Sequence, residues 1–182
     1  MTEIKTNRLI LRNFQSSDAA SIYKYAKNSK IGPIAGWPVH NSIEDSKYFI
    51  ENYFMSPHIF AITQKNSPKQ AIGLIGLELV DEGNAKNFMK SREAEISYWL
   101  GEPFWGRGLV PEAIQAVVQY GFDTLQLSAI WCGYKDGNLQ SKRAQEKEGF
   151  KYNRTINEMY NPILNETIIE HFTKLVNPII EN

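Results

Sequence analysis

The run Trp105-Gly106-Arg107-Gly108-Leu109-Val110-Pro111-Glu112 carries the strongest chemical signal in the sequence. Two glycines alternate with an arginine where an apolar segment ends, and a helix opens at once with proline and glutamate. Glycine allows backbone angles and close approaches that a Cβ blocks. Successive amide hydrogens can then point into one concavity, and the helix N-terminus adds about half a positive charge. Pro111 suits the first helical turn, where no internal N–H partner is needed. Such a turn grips a pyrophosphate with backbone alone. An ordinary strand-to-helix turn also accommodates two glycines, so the run by itself leaves both readings open. Two rival nucleotide signatures are missing: no third glycine completes G-x-G-x-x-G after an early strand, and no G-x-x-x-x-G-K-[ST] run occurs.

Just before this turn, Glu93-Ala94-Glu95-Ile96-Ser97-Tyr98-Trp99-Leu100 alternates polar and bulky apolar residues, the pattern of a strand with two different faces. Alternation places Glu93, Glu95, Ser97 and Trp99 together. Cys132 is the only cysteine, so it has no intramolecular disulfide partner, which fits a reducing compartment. With no histidine near it in sequence, nothing supports it as an acyl-carrying nucleophile, and a buried strand cysteine is the expectation. His40, His58 and His171 stand far apart, none at metal-ligand spacing from another, so no metal site is expected.

These groups need a frame. Arg8 to Arg12 reads as a first strand and the pattern Ala19, Ile22, Tyr23, Ala26 as a helix after Asp18. The segment Ile31 to Pro38, with two glycines and two prolines, is expected to break regular structure. A helix from Ser42 is expected to carry Tyr48, Phe49 and Tyr53 inward. His58 to Gln64 and Ala71 to Val80 read as antiparallel strands across the polar turn Lys65 to Lys69, and Asp81 to Arg92 as an exposed, mobile loop. After the glycine turn, Ala113, Ile114, Val117, Val118, Phe122 and Leu125 follow helical spacing. A strand at Ala129 to Tyr134, a helix at Asn138 to Lys147 capped by Gly149, and strands at Phe150 to Ile156 and Thr167 to Val176 complete the chain. The alternation of strands and helices around an antiparallel middle gives a mixed α/β (α+β) domain spanning residues 1–182.

The 182 residues fit one domain, and 42% apolar content is ordinary for a globular chain. Lys plus Arg and Asp plus Glu balance at 20 each, so bulk charge favours neither nucleic acid nor anionic membrane. The first residues lack the apolar run of a signal peptide, and no stretch approaches the roughly 20 apolar residues that span a bilayer. A soluble cytoplasmic protein is expected.

Three blocks in order resemble a known family: Thr6-Asn7-Arg8-Leu9-Ile10-Leu11-Arg12-Asn13-Phe14 with Asp18-Ala19; Glu95 to Gly101 running into Phe104 to Gly108 and Glu112-Ala113; and Asn138-Leu139-Gln140-Ser141-Lys142-Arg143 ending in Glu146 to Phe150. The sequence is similar to the GNAT acetyltransferases, and within them to the branch of the ribosomal-protein N-terminal (alanine/serine) acetyltransferases. The resemblance implies a twisted, mostly antiparallel sheet of about seven strands, splayed between the fourth and fifth, with about four helices. It implies acetyl-CoA as cosubstrate without a metal. Its pyrophosphate lies on Trp105, Gly106, Arg107, Gly108, Leu109, Val110 and Pro111, and its pantetheine arm along Tyr98, Trp99 and Leu100 and at Asn138. The family prefers Gly or Ala where Val110 stands, and many members have Gly where Ser97 stands.

The resemblance also assigns chemistry. An amine must be neutral to attack a thioester; at neutral pH this costs about 4–5 kcal/mol for a lysine side chain but only about 1 kcal/mol for an α-amino group. Glu95, beside the expected acyl position, is the candidate base, with Glu93 as competitor. Ser141 is the candidate proton donor to the departing thiolate, although it also suits a helix N-terminus, as Asn138 suits an N-cap. A backbone N–H near Tyr98 is the candidate oxyanion donor. Arg107, Lys142 and Arg143 are candidate phosphate contacts, and Trp37 and His40, with Pro38, belong to the loop where relatives build the acceptor site. The acceptor is a primary amine, either a protein N-terminus or a small molecule, attacked directly in a ternary complex; a non-catalytic CoA-binding module on the same fold is the alternative. Monomer and homodimer are both compatible.

Overall fold

The structure is a computed structural model that describes residues 2–83 and 86–179. Its strands are β1 (Glu3–Lys5), β2 (Leu9–Asn13), β3 (Ile59–Gln64), β4 (Ser67–Leu79), β5 (Glu93–Leu100), β6 (Ala129–Lys135), β7 (Lys151–Asn161) and β8 (Glu166–Val176). The helices are α1 (Ala19–Ala26), α2 (Gly32–Ala35), α3 (Ile43–Phe49), α4 (Leu109–Asp123) and α5 (Leu139–Lys147). All eight strands form one sheet in the order β1-β2-β3-β4-β5-β6-β8-β7. Every pairing is antiparallel except that of β5 with β6.

That one parallel pairing is short. β4 and β5 stay in register from Gly73↔Leu100 to Leu79↔Ala94. β5 and β6 pair only at Glu93↔Ala129, Ala94↔Ile130 and Glu95↔Trp131. Beyond Glu95 the two strands part, so among the described residues Ile96 to Leu100 have no ladder partner on that side. This is the splay the resemblance implies; the short additional strand β1 makes it fall between β5 and β6.

One face of β5 meets the helices α4 and α5. Ile96 shares a face with its partner Leu77, and Leu77 lies against Gly121 of α4. On the same face Tyr98 reaches Ser141 of α5. The opposite face carries Trp99, whose ring lies 5.3 Å from that of Trp37. Ala113, Ile114 and Val117 of the spacing read from the sequence form the buried stripe of α4 with Leu109, while Val118 and Phe122 are half-buried and Leu125 lies just beyond the helix. Each large member contributes about 1.5–3 kcal/mol by leaving water, which anchors the glycine turn to the sheet.

Several expectations need correction. The Ile31 to Pro38 segment contains a helical turn, α2, with Pro33 near its start and Gly36 in the left-handed region (φ 90°) at its end. Tyr48 and Tyr53 point outward, 55% and 53% exposed; the buried side of this segment runs instead through Ser46 and Ile50, and Tyr48, two residues from each, falls about half a turn away. The segment after Asp81 is not simply exposed: Met89 is buried, and Phe88 packs edge-on against Trp131 and Phe172. β4 begins at Ser67, shortening the preceding turn, and β7 runs on to Asn161.

Candidate active site

The glycine turn has the shape its composition requires. Gly106 and Gly108 both lie in the left-handed region (φ 72° and 71°), flanking Arg107. Alternating such residues turns successive amides toward one side, the geometry of an anion-binding nest. α4 then starts at Leu109, and the first amides of a helix have no internal acceptor.

The outer side of this turn is clamped by the N-terminal segment. The Arg8 guanidinium donates to the carbonyls of Arg107 (2.8 Å) and Gly108 (3.1 Å) and to Glu112 Oε2 (2.6 Å). Glu112 Oε1 also accepts from the Arg8 backbone N–H (2.7 Å) and the Thr6 hydroxyl (2.5 Å). Burial pushes the Glu112 carboxyl upward, but these donors prevail and hold it below its ordinary range. The carbonyls of the turn are thereby occupied from behind, which leaves its amides to face the cavity. Thr6 and Arg8 belonged to a recognised block, yet strand propensity gave no sign that Arg8 reaches the turn.

A single cavity of about 930 Å³ runs from this turn through the splay. Its wall includes Trp105, Gly106, Gly108, Leu109, Val110 and Pro111 at one end, and Tyr98, Trp99 and Leu100 along β5. Asn138, Ser141 and Arg143 of the α5 segment also line it. Arg107 does not: its side chain is exposed, with the guanidinium 5.8 Å from the Phe104 ring centre. Lys142 pairs with Glu146 at 3.8 Å and is likewise outside the wall.

Asn138 caps α5, its Oδ1 accepting from the Ser141 N–H (3.1 Å), so its side-chain carbonyl is committed to the helix. The Ser141 hydroxyl lies 2.9 Å from the Tyr98 hydroxyl and accepts from Gln145 Nε2 at 3.0 Å. Gln145 is held in turn by the Thr173 hydroxyl, which donates to its Oε1 at 2.7 Å. Burial, foremost, pushes the Tyr98 phenol far above its ordinary range, so it remains a neutral donor. Sequence reasoning used only the backbone of Tyr98; strand alternation alone does not reveal that its side chain meets α5.

Across the splay the wall becomes acidic. Glu95, on the face opposite Tyr98, forms an ion pair with Lys86. Glu78 stands directly across the ladder from Glu95 and accepts from the Ser97 hydroxyl at 3.3 Å. Burial, with the Glu95 charge added, raises the Glu78 carboxyl above its ordinary value. Glu170 of β8 is raised the same way, burial first and against the pull of Lys86. It fits because β6 has glycine at 133: an added Cβ there would lie 2.5 Å from Glu170 Oε1. Lys86, Glu78 and Glu170 were not singled out from the sequence, although Glu78 and Glu170 both lie on strands that it made legible.

Glu93, the competing base, is taken up elsewhere. It is 4% exposed and accepts from Trp131 Nε1 (2.7 Å), the Lys90 N–H (3.0 Å) and Lys174 Nζ (2.7 Å). Burial raises its carboxyl, but these donors outweigh burial and hold it down.

The acceptor candidates Trp37 and His40 are not in the cavity wall. His40 is 2% exposed, stacked on Phe49 at 4.6 Å, with Nδ1 2.7 Å from the Ser46 hydroxyl. Burial lowers its imidazole from the usual value. Trp37 packs between His40 and Trp99 and supports the loop from behind. The residues of that loop that do line the cavity are its neighbours Lys30, Ile31 and Pro33 to Gly36. Cys132 is buried, and burial pushes its thiol well above the usual range, so it is no ready nucleophile. Among the described residues no group of three or more His, Cys, Asp or Glu is arranged to hold a metal ion. Among the same residues no helix is long and apolar enough to cross a membrane.

Residues 8–151 match the acetyltransferase (GNAT) domain, and the chain belongs to that family of acetyltransferases. It is 31% identical over 152 residues to the uncharacterized N-acetyltransferase YoaA of Bacillus subtilis (strain 168), covering 81% of this chain and 82% of that protein. It is 27% identical over 146 residues to an uncharacterized N-acetyltransferase, p20, of Bacillus licheniformis, covering 78% of each. In fold it is similar to a GNAT-family acetyltransferase from Bacillus anthracis (TM-score 0.80, 22% identity, 96% and 98% of the two chains). The ribosomal-protein-S5-alanine acetyltransferase of Vibrio fischeri shares the fold at TM-score 0.70 and 19% identity, over 98% of each chain. So does the microcin C7 self-immunity acetyltransferase MccE, solved with acetyl-CoA and AMP (TM-score 0.75, 21% identity, 94% and 93%).

Proposed function

We propose that the chain moves an acetyl group from acetyl-CoA to a primary amine, a protein N-terminal α-amine or a small-molecule amine, by direct attack in a ternary complex. One observation carries this reading: the same cavity joins the glycine turn, the open edge of β5 and the Glu95 carboxylate. The pyrophosphate of acetyl-CoA rests on the amides of Gly106 to Val110, and Arg143 supplies charge beside it. The pantetheine arm lies in the splay, where Ile96 to Leu100 lack ladder partners and offer backbone hydrogen bonds. The thioester then reaches the level of Glu95.

Each step has an owner in this reading. Glu95 takes the proton from the incoming amine, directly or through water; a positioned base contributes typically about 10²–10⁴-fold. A backbone N–H of the free β5 edge near Tyr98 receives the developing oxyanion. Ser141 donates a hydrogen bond to the departing sulfur while the Tyr98 hydroxyl, 2.9 Å away, donates to the Ser141 oxygen and orients it; the proton that the sulfur keeps comes from the amine nitrogen. Asn138 contributes mainly by capping α5, which fixes Ser141 in place. Trp37 and His40 shape the acceptor loop from behind.

The test is thiol release from acetyl-CoA with peptides, alkylamines and amino acids as acceptors. Turnover with at least one amine, yielding its N-acetyl product, is expected. Tight acetyl-CoA binding with no acceptor turned over would replace this reading with a non-catalytic CoA-binding module.

A further inference from the structure

The chain places one of its own primary amines where the proposed acceptor must sit. Lys86 lines the cavity, and its ammonium is paired with Glu95, the carboxylate at the point where β5 and β6 part. It lies 5.0 Å from the centre of the Phe172 ring and within the fields of Glu78 and Glu170. The placement is anchored on the C-terminal side. Phe88 is wedged against Trp131 and Phe172, Met89 is buried, and the Lys90 N–H is bonded to Glu93. A short, fixed stem therefore delivers an unbranched alkylamine to the candidate base.

We propose that Lys86 is a self-acetylation site, modified by acetyl-CoA bound in its own chain's cavity when no other amine displaces it. The inference rests on the acetyl-transfer reading of the site. One proton leaves the Lys86 ammonium to Glu95, and the free amine attacks the thioester carbonyl carbon. The N–C bond forms, the C–S bond breaks, and CoA departs as the thiolate. The second proton leaves the nitrogen as the intermediate collapses. One of the two protons ends on the CoA sulfur and the other passes to solvent, giving Nε-acetyl-Lys86 and CoA thiol. Nothing is oxidised or reduced. Burial lowers the affinity of Lys86 for its proton, but the neighbouring carboxylates outweigh burial and hold it above the usual value. The transfer is consequently slower than proximity alone would make it, and proximity compensates: well-oriented intramolecular groups reach effective concentrations on the order of 10⁵ M or more.

The experiment incubates the full chain with acetyl-CoA and no added amine, then maps acetylated lysines by mass spectrometry across a range of protein concentrations. The same preparation is assayed for thiol release with the amine panel, and heat-denatured chain gives the purely chemical background. The expected result is one acetyl group per chain, on Lys86, at least about tenfold above every other lysine and at a rate independent of protein concentration. Lys86→Arg, which keeps a cation opposite Glu95, should remove the modification without raising it elsewhere. Turnover of an added amine with Lys86 unmodified, or modified no more than in denatured chain, overturns this inference and leaves the acetyl-transfer reading standing. Absence of both modification and turnover overturns the two together.

Discussion

Arg8→Ala should weaken acetyl-CoA binding although Arg8 is not in the wall of the cavity. The side chain makes three hydrogen bonds, to the carbonyls of Arg107 and Gly108 and to Glu112. Charge-assisted bonds contribute about 1.5–3 kcal/mol each when buried. The Arg8 side chain is 46% exposed, so water already screens these contacts. Exposed pairs contribute about 0.2–1 kcal/mol, which puts the three together at about 1–2 kcal/mol. If that energy holds the turn in its amide-inward form, its loss raises the KM for acetyl-CoA by a factor of about 5–30. The assay is initial-rate thiol release at saturating acceptor, with the thermal midpoint recorded in parallel. The acceptor KM should stay within about twofold, and Arg8→Lys, which cannot fork to two carbonyls, should recover only part of the loss. An unchanged KM for acetyl-CoA in a folded Arg8→Ala protein would refute the clamp.

Further outcomes follow from the same geometry. Gly108→Val forces a β-branched residue into φ 71°, where the added Cβ meets only the end of the Arg8 side chain at 3.7 Å, and should abolish acetyl-CoA binding by calorimetry while the protein stays folded. Glu95→Gln should lower kcat by about 100-fold with acetyl-CoA affinity retained; a wild-type rate removes Glu95 as base. His40 is held below its ordinary pKa by burial, so the unfolded chain binds its proton more readily. Its contribution to stability is complete above about pH 6.5 and is lost as pH falls toward the lowered folded value. His40→Phe should flatten that acid-side decline in thermal midpoint, and an identical decline in both proteins would show that His40 does not cause it.

What the sequence makes legible follows from how local each feature is. The glycine turn, the α4 stripe and the Asn138 cap are written in consecutive residues, because backbone angle, helical period and capping act within one or two turns. Glu95 was legible as a facing position on an alternating strand. Lys86 and Glu170 were not, because they meet Glu95 only after the segment following Asp81 folds back and β8 joins β6. Arg8 was hidden for the same reason, lying about a hundred residues from the carbonyls it holds. Trp37 and His40 were named because the resemblance places the acceptor site in their loop; in the structure they pack on Trp99 and Phe49 and face the core rather than the cavity. Tyr48 and Tyr53 were misplaced because the small polar Ser46 shares the buried side with Ile50, which an apolar pattern does not announce.

The most direct test of the account is the structure of the chain with acetyl-CoA bound. The account predicts the pyrophosphate within hydrogen-bond distance of the Gly108 to Val110 amides and the thioester in the splay, its carbonyl at the free edge of β5 and its acetyl group beside Glu95. A coenzyme bound away from the glycine turn, or an acetyl group directed away from Glu95, would contradict it.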